Sequence, residues 1–272
     1  MSPVYLTYTV YTRVSATFKG FDREPTLKGF WVEEFPPKKT VRRQEKELGG
    51  YRYVVADVRI LALFPTDAGK IEIDPGILNV DVEVVTGNQY DRFITTDLFG
   101  RRRITRRPPS QIVRQIVPRL LATEKIPINV LPLPEKNRPA DFNGAVGKYR
   151  LAATLDRQRV EEGEPVTLRL RLEGEGNLNT VQIPKLPELD HFKSYDSSQS
   201  LNLTKDRLVV EGEKITETVL IPKKAGRYTI PSLSMSYFDI GQRRYRTLKT
   251  KELPLEVMTS STPEAVSVDC KK

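Results

Sequence analysis

Apolar and polar residues alternate with a period of two over many short segments of the chain. Residues 166–172 read V-T-L-R-L-R-L, which puts Val166, Leu168, Leu170 and Leu172 on one face and Thr167, Arg169 and Arg171 on the other. Residues 4–10, V-Y-L-T-Y-T-V, place Val4, Leu6, Tyr8 and Val10 on one face in the same way. Each pattern predicts a strand buried on one side. Pro3-Val4-x-Leu6 matches Pro165-Val166-x-Leu168, so the two strands are read as equivalents.

A longer match joins L-F-P-T-D-A-G-K-I-E-I, from Leu63, to L-I-P-K-K-A-G-R-Y-T-I, from Leu220, at a shift of 157 residues (220 − 63). Proline ends a strand because it cannot donate to the ladder, and Ala-Gly supplies a turn at Gly69 and Gly226. The next alternation restarts a strand. The same shift sets Leu78 and Val80 against Met235 and Tyr237, so inward parity continues into the following strand. Short strands, frequent turn residues and no alternating helices predict an all-β chain of two tandem immunoglobulin-like Greek-key sandwiches. The first is assigned to residues 1–133 and the second to 149–259, with a linker at 134–148 and a tail at 260–272. Gly144 and Gly147 fall in the Pro/Gly/Asn-rich stretch between them, and Gly174 and Gly176 form a turn in the second copy. The second copy has a strand before Pro165 that the first lacks before Pro3, which predicts that the natural chain extends N-terminally.

One segment departs from the period of two. Ile112, Val113, Ile116, Val117, Leu120 and Leu121 recur at helical spacing inside a basic insertion at 86–124. This admits a short amphipathic helix, cut to about two turns by Pro118, that docks on the sandwich rather than on a membrane.

Composition narrows the chemistry. Among 272 residues there is one cysteine, Cys270, and one histidine, His191, so neither an intrachain disulfide nor a zinc site of the usual type can be written, and a nucleophilic triad would need that one imidazole. The reading is non-enzymatic, with no catalytic residue, cofactor or metal assigned. His191 is read as a surface or half-buried loop residue. No leader-like apolar segment follows Met1, so export of the chain would require a signal outside it.

With the strands and turns in place, the chain resembles the BatD family of bacterial membrane-anchored aerotolerance proteins. The resemblance runs over nearly the whole length. It is carried by L-T-Y-T-V-Y-T-R (6–13), G-F-W-V-E-E (29–34), V-L-P-L-P (130–134), F-N-G-A-V-G (142–147), G-E-G-N-L (174–178), A-G-R-Y-T-I-P (225–231) and Y-F-D (237–239). It implies Ig-like domains on the periplasmic face of a bacterial membrane, with an export signal and a membrane helix outside this chain. It further implies envelope partners carrying von Willebrand A domains, encoded beside a MoxR-type ATPase, and a role in oxygen tolerance. No catalytic set is carried over. The stretch 86–124 is longer and more basic than the connection usual in the family.

The formal charge of +9 is compatible with nucleic acid, anionic lipid or an acidic protein face. Arg101, Arg102, Arg103, Arg106 and Arg107 form the densest run, extended by Arg114 and Arg119, and are candidates for partner contact or a solvated loop. The run has no interleaved stacking aromatics, so nucleic acid is not expected as a partner. Trp31 is the other candidate contact, either packed at a sandwich end or exposed. An envelope glycan bound through Trp31 is the alternative to a protein partner. Glu161, Glu162 and Glu164 match no calcium loop and are read as a solvated hairpin. The oligomeric state is left open.

Overall fold

The structure, a computed structural model, describes residues 3–36, 44–86, 91–96, 101–107, 113–206 and 208–260. No helix occurs among them, and the all-β architecture of two sandwich-like units follows the alternating pattern. One compact unit comprises Tyr5–Leu61 and Asp67–Val130; the other comprises Leu131–Lys272 with the short pieces Met1–Val4 and Ala62–Thr66.

In the first unit, β1 (Val4–Thr12), β5 (Tyr51–Pro65) and β3 (Phe30–Glu34) form one sheet, with β4 (Gln44–Leu48) added along the start of β5. A second sheet orders β10 (Val113–Ala122), β7 (Ile77–Thr86) and β2 (Ala16–Arg23). β11 (Ile126–Val130) pairs with β6 (Gly69–Ile73), and β8 (Asp91–Thr96) with β9 (Arg102–Arg107). Tyr8, Phe35, Val55, Ile73, Leu78 and Val80 are buried. Tyr8 meets Phe21 edge-on at 5.0 Å, and Phe21 meets Phe18 at 5.7 Å. Burial raises the pKa of the Tyr8 phenol.

In the second unit, six strands run in the order β15 (Phe192–Asp206), β16 (Val209–Pro222), β14 (Val166–Gly176), β12 (Phe142–Leu155), β18 (Ser234–Asp239) and β19 (Arg244–Lys249). The facing sheet orders β13 (Arg159–Glu161), β20 (Leu253–Met258) and β17 (Gly226–Ile230). The core between them joins Val166 and Leu168 from β14 and Leu220 from β16 to Val160, Ile230, Leu255 and Val257 from the smaller sheet. Leu168, Leu172 and Leu220 are wholly buried, each worth about 1.5–3 kcal/mol relative to exposure. A second cluster, with Tyr149, Leu172, Leu178, Val181, Met235 and Tyr237, closes the other end.

The sequence repeat is a structural repeat. β5 and β16 end at Pro65 and Pro222, β6 and β17 begin at Gly69 and Gly226, and β7 and β18 begin at Ile77 and Ser234, each pair 157 residues apart (222 − 65, 226 − 69, 234 − 77). β10 and β19 then end at Ala122 and Lys249, only 127 apart (249 − 122). The first unit therefore carries 30 additional residues (157 − 127) in the hairpin that joins these strands, and β8–β9 lies within that insertion.

Two expectations change. The helical spacing at 112–121 gives an edge strand instead: β10 runs antiparallel to β7 from Val113↔Thr86 to Ala122↔Ile77, and Ile112 lies outside the described residues. β-Branched Val113, Ile116 and Val117 suit a pleat. Pro118, which would break a helix, sits opposite Asp81 on a strand whose one partner among the described residues is β7, and an edge position tolerates a missing N–H. The stretch read as linker also contains half of β12. Residues 142–146 pair parallel with β18, and residues 147–155 pair antiparallel with β14. The glycines let one strand change partners rather than preventing a strand.

Candidate interaction surface

The sequence-predicted contact residues lie on separate elements. Arg101 and Arg102 are exposed at the start of β9; Arg103, Arg106 and Arg107 continue the strand, and their side chains lie outside the described residues. Register sets Arg102 opposite Thr96, Arg103 opposite Thr95, Arg106 opposite Arg92 and Arg107 opposite Asp91. Trp31 is on β3, 42% exposed, and its indole N–H donates to Glu33 Oε1 at 2.9 Å. Of the flanking arginines, Arg114 reaches Glu83 at 3.4 Å and Arg119 is exposed opposite Val80. The structure thus places Trp31 and the arginine run in different sheets.

Other singled-out residues have local roles. His191 is exposed, 5.2 Å from the Tyr228 ring, and its carbonyl accepts the Lys223 amide. Glu164 accepts the Glu161 amide and Glu162 accepts the Ala225 amide, so both carboxylates close turns. Among the described residues no group of three His, Cys, Asp or Glu side chains converges as a metal site. Cys270 lies outside them.

The glycines singled out in the sequence divide by role. Gly69 and Gly226 open β6 and β17, and Gly144 has space around it. Gly147 and Gly176, opposite each other in the β12–β14 ladder, are covered by the Tyr149 ring. Gly174 faces Tyr149 in that ladder and passes close to the Lys148 carbonyl.

The outward face of the six-stranded sheet is a lattice of opposite charges. Rows across β12, β14, β16 and β15 read Arg150–Glu173–Glu213–Asn202 and Lys148–Glu175–Glu211–Thr204. Arg171 reaches Glu213 at 2.8 Å and Glu173 at 3.3 Å, and Arg169 reaches Glu217 at 2.6 Å. These exposed pairs are worth at most about 1 kcal/mol each. They nevertheless leave the centre of the face near neutrality. On the inner side, Lys214 donates to the carbonyls of Val181 at 2.8 Å and Leu178 at 3.4 Å, and desolvation lowers its pKa.

The ends of this sheet differ from its centre. β15 and β19 each have a single strand partner among the described residues, leaving the far side of each backbone open. β15 is long, and its ladder is broken by a register shift between Asp196 and Gln199. β19 is short and continuous. Arg244, Arg246 and Lys249 on it, and Arg243 and Lys251 flanking it, are all exposed. Sequence reading, drawn to the denser run at 101–107, passed over this second group; its signal was R-R-Y-R-T-L-K-T-K, with no acid between Asp239 and Glu252.

Two strand-built units of this kind define a class: all-β domains of the immunoglobulin-like sandwich type. Within that class, residues 153–257 match the family model described as BatD DUF11 like domain, and the chain carries a domain of the BatD family over that span. No curated protein and no solved structure matches the chain.

Proposed function

We propose that this chain is a non-catalytic interaction scaffold of a BatD-type aerotolerance protein, holding envelope partners at the periplasmic face of a bacterial membrane. The family match over 153–257 supports the aerotolerance association. The scaffold reading rests on one observation: the six-stranded sheet ends in two strands that each have only one neighbour among the described residues. An open edge carries main-chain donors and acceptors that a partner strand satisfies without special side chains. Von Willebrand A-type proteins, working with a MoxR-type ATPase, are the partners we assign, with membrane anchoring supplied by segments outside this chain.

The test is co-purification of von Willebrand A-type proteins with the full-length membrane protein and with a version lacking these two domains. Recovery with the first and loss with the second is the expected result. Equal recovery from both would remove the reading.

A further inference from the structure

We propose that β19 is a docking edge for an acidic, extended polypeptide segment, which joins the six-stranded sheet as a further strand. This rests on the scaffold reading above and assigns it a surface and a partner chemistry.

Three observations carry it. First, β19 pairs with β18 from Arg244↔Asp239 to Lys249↔Ser234, and no backbone partner occupies its other side among the described residues. Second, the charge along it is one-signed and not tied up in ion pairs. No side chain among Arg243, Arg244, Arg246, Lys249 and Lys251 forms an ion pair with a described carboxylate, and the Arg244 guanidinium is engaged only with the Gln242 amide oxygen, at 2.8 Å. Elsewhere in the domain Arg150, Arg157, Arg159, Arg169, Arg171 and Arg227 all find glutamate or aspartate. Third, Arg243 is held at φ 50° in the hairpin turn before β19. A side-chained residue is disfavoured there, and asparagine or glycine would fit the turn more readily. The turn thus sets a further exposed cation beside the start of the edge.

The geometry selects a strand over other anions. Cations spread along a ladder edge sit beside unpaired main-chain groups, and only another polypeptide backbone satisfies both. The opposite edge does not have this character, since β15 balances Lys193 and Lys205 against Asp196 and Asp206 in sequence and its ladder is interrupted. In the first unit, the equivalent edge β10 contains Pro118, exposes Ile116 and Leu120, and has Arg114 paired to Glu83. The two copies of one edge have therefore diverged, and β19 is the charged, proline-free member.

The experiment measures fluorescence anisotropy of a labelled nine-residue peptide alternating valine with glutamate, titrated with the whole chain at an ionic strength of about 0.15 M. A copy N-methylated throughout keeps the charges and lacks the ladder donors. The expected result is binding of the parent peptide, weakened about tenfold or more by N-methylation and by the double substitution Arg246→Gln/Lys249→Gln, with slowed amide exchange in β19 on binding. Equal binding of the N-methylated copy overturns the proposal, as does absence of peptide binding or association only with phosphatidylglycerol vesicles. Unchanged recovery of von Willebrand A-type partners by the Gln double variant, with loss on domain deletion, overturns this edge and leaves the scaffold reading standing.

Discussion

The hydroxyl of Tyr149 donates to the carbonyl of Val146 at 2.9 Å, three residues back along its own strand, and the ring closes over Gly176 on the neighbouring strand. Tyr149 also meets Tyr237 edge-on at 5.5 Å. One aromatic side chain thereby ties β12 to β14 and β18 at the point where β12 changes partners. F-N-G-A-V-G and G-E-G-N-L, which sequence alone marks only as turn-like, are the backbone cleared to admit that ring.

Replacing Gly176 by alanine is expected to destabilise the domain by about 3 kcal/mol or more, because an added Cβ overlaps the Tyr149 hydroxyl and lies 2.7 Å from the Val146 carbonyl oxygen. The control is Gly144→Ala. Gly144 also has positive φ, but nothing lies within 4 Å of an added Cβ, so the cost is limited to about 1 kcal/mol of backbone strain. Urea unfolding of the two variants separates overlap from conformational preference. Equal costs would show that the ring does not impose the glycine.

Burial raises the pKa of the Tyr149 phenol well above its ordinary value of 10.0. The folded state therefore holds the proton longer than the unfolded chain. Its contribution is complete below about pH 10 and is lost as pH rises above that value towards the folded pKa. Lys214, whose pKa is lowered from 10.5, acts with the opposite sign, its penalty easing as pH rises towards that value, so the measurement is a difference between parent and variant. Tyr149→Phe is expected to cost about 1 kcal/mol at neutral pH through the unpaired Val146 carbonyl, and to flatten the fall of stability above pH 10. Parallel pH profiles for parent and variant would contradict the assignment.

The repeat was readable because its turn carries unusual residues: Pro65 and Pro222, Gly69 and Gly226 align at one shift and fix strand ends to the residue. β10 was not readable, since i, i+3 and i+4 spacing also arises when an edge strand leaves apolar residues on both faces. Ile116 is 68% and Leu121 45% exposed, so neither face of β10 is cleanly internal, and the period of two is lost. The β19 edge was hidden for a different reason. Its cations become a feature only when topology shows that no strand lies beside them.

Lys214 lies opposite Leu172 and Leu201, both apolar, yet its ammonium holds the carbonyls of Leu178 and Val181. Methionine there keeps the stem and removes both bonds. The expected loss is about 2 kcal/mol, since two carbonyls beside wholly or nearly buried side chains lose a charged donor. Hydrogen exchange gives the more specific check: the 177–183 segment loses protection while the β13–β20–β17 sheet keeps it. Uniform loss across the domain would mean that the contact is not local.

Arg59, on β5, forks onto Glu34 with Nε to Oε1 at 3.1 Å and Nη2 to Oε2 at 3.0 Å, while Nη1 reaches Glu24 and the guanidinium lies 5.1 Å from the Phe21 ring. Its side chain is only 21% exposed, but Glu24 and Glu34 are 63% and 51% exposed. The two carboxylates are therefore rehydrated when the arginine is removed, and no stranded buried charge inflates the loss. Lysine retains the charge and cannot reproduce the two parallel bonds or the planar contact with Phe21. Arg59→Lys is expected to lower stability by about 1–2 kcal/mol, and Arg59→Met by a similar amount, because geometry rather than charge supplies most of the gain. Denaturant titrations at low and high salt decide the matter: a lysine variant as stable as the parent at low salt would assign the contribution to charge alone.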